Sequence, residues 1–151
     1  MATVKASTDA DRATIKNRNP AGGTNNCQLC TKALSAVWNG QTDAVAGIGP
    51  VAPPSAVARD YPGYMRVPGN TLNDRLRNIV NMMRVVGPGN HAVIWGTWIN
   101  ANGVSTGVGH ILNVKNSAGV VLFLDAQTGL PAVLESNGIT LGNMHFAWAP
   151  P

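Results

Sequence analysis

The chain has 151 residues, of which 44% are hydrophobic and only 12% are charged. This length favours one domain with a single core. No apolar run approaches the roughly 18 residues of a transmembrane helix, and two cysteines are too few for a disulfide scaffold. The formal net charge of +4 reflects a shortage of acids, seven against eleven scattered bases, so nucleic acid is not the expected partner.

The N-terminal segment, residues 1–18, is polar and mixed and shows no sustained period. We therefore expect a flexible N-terminal arm here, followed by one domain over residues 19–151. A cluster of turn-forming residues, 19–24, separates the arm from the first periodic segment.

Residues 27–38 have the apolar spacing of a helix, which the Asn39-Gly40 pair ends. Thr24, Asn25 or Asn26 can cap its start, because their side chains accept hydrogen bonds from the free N–H groups of the first turn. Two cysteines, Cys27 and Cys30, lie in that first turn.

Residues 41–68 are rich in proline and glycine and predict a long irregular excursion, which makes this segment a candidate functional surface. A second helix is predicted over residues 72–86. It has an apolar stripe, Asn70 or Thr71 as its cap, and Gly87-Pro88 as its stop.

The rest of the chain predicts a sheet. Because a helical part is followed by consecutive strands, the expected class is α+β with an antiparallel sheet. We expect the side chains of Trp95, Trp98 and Trp148 to belong to the core, and His91 and His145 to be structural. The predicted strands are 91–98, 108–115, 120–125 and one that includes 144–148.

A hairpin between the second and third of these strands brings a histidine and an acid together. If its loop is symmetric about the bond between residues 117 and 118, His110 lies directly opposite Asp125 on an apolar face. The carboxylate can then accept an imidazole N–H and stabilise the charged ring. The alternative is a buried strand histidine and a strand-end cap, but only Asp125 and Glu135 are acids beyond residue 80, which favours the pair.

The two cysteines allow several interpretations. Cys27 lies at a helix N-terminus, where the dipole and free N–H groups stabilise a thiolate, and this effect is weaker at Cys30. The Cys-x-x-Cys spacing also occurs in redox and zinc sites. A redox site needs a strand directly before it and a zinc site needs two further ligands, and the sequence predicts neither here. A nucleophilic cysteine with a distant histidine and acid is typical of thiol catalysis. The alternative is two buried helix cysteines.

Four segments together resemble the papain-fold toxin family, the C-terminal toxin domains of bacterial polymorphic toxins, including Rhs-type proteins. This family has relatives among effector protein-glutamine deamidases. The resemblance implies a papain-like fold in which a nucleophile helix packs on an antiparallel sheet. In family order, the segments are Asn19-Pro-Ala-Gly-Gly-Thr-Asn-Asn-Cys-Gln-Leu-Cys30, Gly87-Pro-Gly-Asn-His-Ala-Val-Ile-Trp-Gly96, Gly109-His-Ile-Leu-Asn-Val114 and Phe123-Leu-Asp-Ala-Gln-Thr-Gly129.

The resemblance also implies roles for individual residues. Cys27 is the nucleophile, His110 the general base and acid, and Asp125 the residue that orients the histidine. Cys30 is the alternative nucleophile, because the second cysteine of a Cys-x-x-Cys stretch can carry the reaction in papain-like proteases.

Two further residues have both a functional and a structural interpretation. Gln127 matches the glutamine of the family's Asp-x-Gln segment, where its amide can position a substrate, or it is simply a turn residue. Asn26 either helps to form an oxyanion hole or caps the helix.

The activity that the resemblance implies is deamidation of a glutamine side chain in a target-cell protein, through a thioester at Cys27. A cysteine protease or a transglutaminase-like acyl transferase would use the same three residues. Two alternatives belong to other classes: a non-catalytic binding module that docks a partner through residues 41–68, and a basic nuclease toxin.

The family further implies a cognate immunity protein, delivery as part of a larger bacterial toxin, and action in the target-cell cytoplasm. We expect no membrane contact. Since the sequence has neither a phosphate-binding loop nor a ligand cluster, it implies no metal or other cofactor.

Overall fold

The computed structural model describes residues 2–20, 22, 27–41, 43–47 and 54–148. Over these residues four helices accompany a seven-stranded sheet in which every strand pairing is antiparallel, which confirms the α+β class. The elements are α1 Ala2–Thr14, α2 Cys27–Trp38, α3 Pro54–Asp60, β1 Met65–Arg66, α4 Leu72–Val86, β2 His91–Ile99, β3 Ser105–Ser117, β4 Val120–Asp125, β5 Leu130–Pro131, β6 Glu135–Ser136 and β7 Ile139–Trp148.

The sheet has the strand order β1-β7-β2-β3-β4-β5, and β6 pairs with β7 outside this path. Helices α2 and α4 cover opposite faces of it, because successive side chains of a strand point to opposite sides. Leu112 and Val114 of β3 pack in the same cluster as Met83 of α4. Asn113, between them, instead hydrogen-bonds α2.

The two helices predicted from apolar periodicity are confirmed with the predicted bounds, as α2 and α4. Thr71 caps α4, since its Oγ1 accepts the N–H of Asp74 at 3.1 Å. Gly87 follows the helix with a φ of 106°, a conformation that favours glycine. The predicted caps of α2, Thr24, Asn25 and Asn26, lie outside the described residues.

The N-terminal segment contains α1, where we expected an arm without regular structure. The helix lies against β3: Lys115 Nζ is 2.7 Å from Asp11 Oδ1, and the hydroxyls of Ser7 and Ser117 are 3.2 Å apart. The sequence did not indicate this helix because polar side chains, rather than an apolar stripe, attach it to the sheet. The domain boundary at residue 19 stays a prediction.

The predicted excursion over residues 41–68 contains α3 and the short strand β1; residue 42 and residues 48–53 lie outside the described part. Proline suits the first position of a helix, because its missing N–H is not needed there. Val57 and Tyr61 of this segment are buried against Trp95 of β2.

The β3–β4 hairpin differs from the predicted register. Ser117 pairs with Val120, so the turn is the two-residue Ala118-Gly119, with φ values of 52° and 95°. The prediction that His110 lies directly opposite Asp125 is therefore wrong. Continuing the observed register sets Asp125 diagonal to His110, and because the shift is an even number of residues, both keep the same face.

Candidate active site

Cys27 begins α2 where the helix meets the central strands. Its side chain is partly buried and packs against the cluster that contains Trp95 and Ile111. The thiol lines the same cleft as His110, and the His110 side chain and the backbone N–H groups of Ile111 and Gln28 lower the pKa of Cys27. The nucleophile predicted at the helix N-terminus thus lies at the same cleft as the predicted histidine of β3.

His110 lies between this thiol and a carboxylate. Its Nε2 is 2.9 Å from Oδ2 of Asp125, and the two side chains are only 12% and 11% exposed. The other carboxylate oxygen, Oδ1, accepts the N–H of Gln127 at 3.0 Å, which holds the acid in place. Because Nε2 faces Asp125, the ring nitrogen that remains for Cys27 is Nδ1. The indole of Trp98 stacks on the same ring, with centroids 6.0 Å apart.

The electrostatics of the site favour a charged pair. Burial by itself raises the pKa of Cys27, but the hydrogen bond and the charge of His110, with the two backbone N–H groups, outweigh it and lower that pKa. Burial by itself lowers the pKa of His110, yet the hydrogen bonds to Asp125 and Cys27 raise it to about 9. Both shifts favour the thiolate of Cys27 and the imidazolium of His110, relative to an ordinary cysteine and histidine.

Cys30, one turn along α2, has a different environment. It is fully buried among apolar side chains such as Leu34 and Leu124. Burial and the charges of Asp125 and Cys27 raise its pKa to about 11. A protonated, enclosed thiol is a poor nucleophile, so the geometry favours Cys27 over Cys30.

A buried polar network fastens α2 to β3 behind the two catalytic candidates. The side-chain amide of Asn113, fully buried, donates to the carbonyl of Thr31 at 3.1 Å and to Oγ of Ser35 at 3.0 Å. Thr31 Oγ1 in turn donates to the carbonyl of Ile111 at 3.2 Å. These hydrogen bonds hold α2 at one position along β3, and so they hold Cys27 at one position relative to His110.

The three side chains open into a cleft of about 370 Å³. Gln127 lines the cleft, and its backbone carbonyl accepts a hydrogen bond from the side-chain amide of Asn19 at 3.0 Å. Asn26, the other predicted substrate or oxyanion residue, lies outside the described residues. The remaining lining residues are Trp98, Val108, Gly109, Thr128, Leu130, Pro131 and Val133.

Sequence reasoning missed several of these cleft residues. Trp98 was expected in the core, and it does pack there, but it also lines the cleft. Val108 could have been found, because it lies two residues before His110 and so on the same face of a strand. Leu130 and Val133 could not have been found from the sequence, because their position at the cleft depends on the short pairing of β5 with β4. Trp148, also expected in the core, is 41% exposed.

Among the described residues there is neither a metal-binding cluster nor a membrane-spanning helix. No three histidine, cysteine or acidic side chains among the described residues are grouped so that they could hold a metal ion. Within the same part of the chain, the helices are too short or too polar to cross a membrane.

A family model described as papain fold toxin 1, glutamine deamidase matches residues 25–130, more than half of the chain. The chain belongs to this family. The match confirms the resemblance drawn from the four sequence segments and the papain-like fold. No curated protein and no solved structure matches the chain. As a papain-fold toxin of the glutamine-deamidase type, the domain is an enzyme whose expected substrate is a protein of the target cell.

Proposed function

We propose that this toxin domain deamidates a glutamine side chain of a target-cell protein through a thioester at Cys27. The observation that carries the proposal is the convergence of Cys27, His110 and Asp125 on one open cleft, with His110 hydrogen-bonded to Asp125. The glutamine-deamidase description of the family supports the choice of an amide substrate.

In the first half-reaction the Cys27 thiolate attacks the side-chain amide carbon of the glutamine. The imidazolium of His110 gives its Nδ1 proton to the amide nitrogen, the carbon–nitrogen bond breaks, and ammonia leaves. The products are ammonia and a thioester between Cys27 and the substrate.

In the second half-reaction water attacks this thioester. Neutral His110 takes a proton from the water, the carbon–sulfur bond breaks, and the new side chain is a glutamate. The Cys27 thiolate and the His110 imidazolium are restored. Asp125 accepts the Nε2–H throughout, which keeps the ring oriented and stabilises its charged form.

Two further residues take supporting roles in this proposal. The Gln127 side chain, on the cleft wall, positions the substrate amide. Asn26, directly before the nucleophile, helps to hold the oxyanion of the tetrahedral intermediate, together with the N-terminus of α2. We also propose delivery within a larger bacterial toxin, action in the target-cell cytoplasm, and a cognate immunity protein, as the family implies.

The experiment compares Cys27→Ala with Cys30→Ala as a matched control. Lysates of candidate target cells are treated with each protein, and deamidated glutamines are mapped by mass spectrometry. We expect glutamine-to-glutamate conversions with the unaltered protein and with Cys30→Ala, and none with Cys27→Ala. Conversions that persist in Cys27→Ala would contradict the mechanism. New chain termini in place of conversions would mean proteolysis instead, and glutamines joined to amines would mean transglutamination.

A further inference from the structure

The mouth of the catalytic cleft is formed by exposed aliphatic side chains. Val108, Leu130 and Val133 line it and are 56%, 61% and 65% exposed, and Pro131 lies beside them, also exposed. We call these four residues the apolar rim. Apolar side chains gathered around a cleft gain free energy when a partner removes them from water.

The part of the cleft lining that the structure describes offers no free ionic partner to a charged ligand. Of its described lining residues, only Cys27, His110 and Asp125 have ionisable side chains, and these three are grouped with one another. Free glutamine has an ammonium and a carboxylate on its α-carbon, and both need charged or hydrogen-bonding partners once they leave water. A glutamine within a polypeptide has neither charge.

The rim is built on the same backbone segments as the catalytic side chains. Val108 precedes His110 by two residues on β3, and Leu130 of β5 pairs directly with Asp125 of β4. A substrate segment lying on the rim is therefore held at a fixed distance from the catalytic histidine and acid. Such fixed positioning is what converts binding into rate.

We infer that the apolar rim is the substrate-docking surface and that it selects glutamines flanked in the polypeptide by uncharged aliphatic or aromatic side chains. Free glutamine and glutamines between charged residues are then poor substrates. This inference rests on the proposed function, because it assigns the substrate class of the same site.

The first test uses a proteome-derived peptide library with blocked termini. The domain is added, and the rate of deamidation of each glutamine is compared with the residues on either side of it. We expect glutamines with apolar neighbours to react about tenfold faster, or more, than those between charged residues. Ammonia release from free glutamine should be slower still.

The second test changes the rim. Leu130→Asp and Val133→Asp should each lower kcat/KM on apolar-flanked peptides about tenfold, while Val133→Lys should raise the relative rate on peptides with acidic neighbours. The control is Val85→Asp, because Val85 lies on α4 and is 86% exposed without lining the cleft; it should leave the rates unchanged. Alkylation of Cys27 at an unaltered rate shows that the variants keep their site.

The outcomes separate this inference from the proposed function. If no glutamine in any peptide or protein is deamidated while Cys27 still reacts with an alkylating agent, the proposed function fails, and the inference with it. If deamidation proceeds but ignores the flanking residues and the Leu130→Asp change, the inference alone is overturned. It is overturned too if the rim proves to bind a second copy of the chain, seen as a dimer that Leu130→Asp dissociates.

Discussion

Two tryptophan–histidine pairs stack on this sheet, and they differ in what lies beside the imidazole. Trp98 and His110 have ring centroids 6.0 Å apart at 21°, and Trp95 and His145 have centroids 5.6 Å apart at 17°. The His110 ring also lies beside a carboxylate, with Nε2 2.9 Å from Oδ2 of Asp125, and the pKa of His110 is raised to about 9. The pKa of His145 is instead lowered, mainly by burial and further by the charge of Arg66.

The difference teaches that stacking positions an imidazole but does not set its charge. Each pair borders a cavity, of about 370 Å³ at His110 and about 260 Å³ at His145. Only the first of these cavities includes the thiol and the carboxylate among its described lining residues. A histidine becomes suited to acid–base chemistry here through its ionisable neighbours, since burial and aromatic contact are common to both pairs.

The largest expected effect separates the two histidines. His110→Ala should lower kcat for glutamine deamidation about 10⁴-fold or more, because in the proposed mechanism His110 activates Cys27 and protonates the leaving nitrogen. His145→Ala, which removes a comparable stacked ring, should stay within a few-fold of the unaltered protein. Ammonia release under saturating substrate measures both. Equal losses in the two variants would show that the histidines act only through packing.

Removing the Asp125 carboxylate should lower the pKa of His110, which in this respect becomes more like His145. We expect Asp125→Asn to lower kcat about 10²–10⁴-fold, because the neutral amide lacks the charge that stabilises the imidazolium. Titration of the His110 ring by NMR should give a pKa below that of the unaltered protein. An unchanged pKa would mean that Asp125 is not what holds the proton on His110.

The pH profile of kcat/KM should be bell-shaped. Activity rises with pH as Cys27 loses its proton, below the pKa of an ordinary thiol, and falls as His110 loses its proton near pH 9, changing about tenfold per pH unit on each limb. In Asp125→Asn the alkaline limb should move to lower pH, because the interaction that raises the His110 pKa is lost. A limb that stays in place would contradict its assignment to His110.

A smaller effect is expected from the buried network behind the site. Asn113→Ala removes two hydrogen bonds to α2, so it should lower the free energy of unfolding by about 1–3 kcal/mol. It should also lower kcat/KM about tenfold by loosening the Cys27–His110 contact.

A matched control tests whether this loss of activity comes from position or from stability. Asn116 is also a buried asparagine of β3, but its amide donates to Met83 of α4 at 3.0 Å, away from the cleft. Asn116→Ala should destabilise the fold to a similar degree and leave kcat/KM unchanged. If both variants lose activity in proportion to their stability, Asn113 has no positioning role.

The sequence predicted those parts of the molecule that depend on local periodicity. The spacing of apolar residues was sufficient for α2 and α4. The period of two along a strand set His110 and Asp125 on one face only because the turn has an even number of residues. The sequence missed α1, which is attached by polar contacts such as Lys115–Asp11, and it missed the register, which a two-residue turn at Ala118-Gly119 sets. Contacts that involve only a few residues, far apart in the sequence, produce no periodic pattern of apolar residues.

The cleft shows the same division between local and distant signals. The helix N-terminus indicated Cys27 as the more reactive cysteine, but the full burial of Cys30 depends on strands more than ninety positions away, such as β4. The apolar rim likewise depends on β5 folding back onto β4. Such pairings follow from tertiary packing, which a single sequence does not display.

The central claim, that Cys27 attacks a glutamine side chain to form a thioester, is tested most directly by trapping that intermediate. The domain is mixed with a glutamine peptide, quenched in acid, digested and mapped by mass spectrometry. We predict that the fragment spectrum places on Cys27 an added mass equal to the substrate peptide less one ammonia. An acyl group on Cys30, or deamidation by Cys27→Ala at the unaltered rate, would contradict the account.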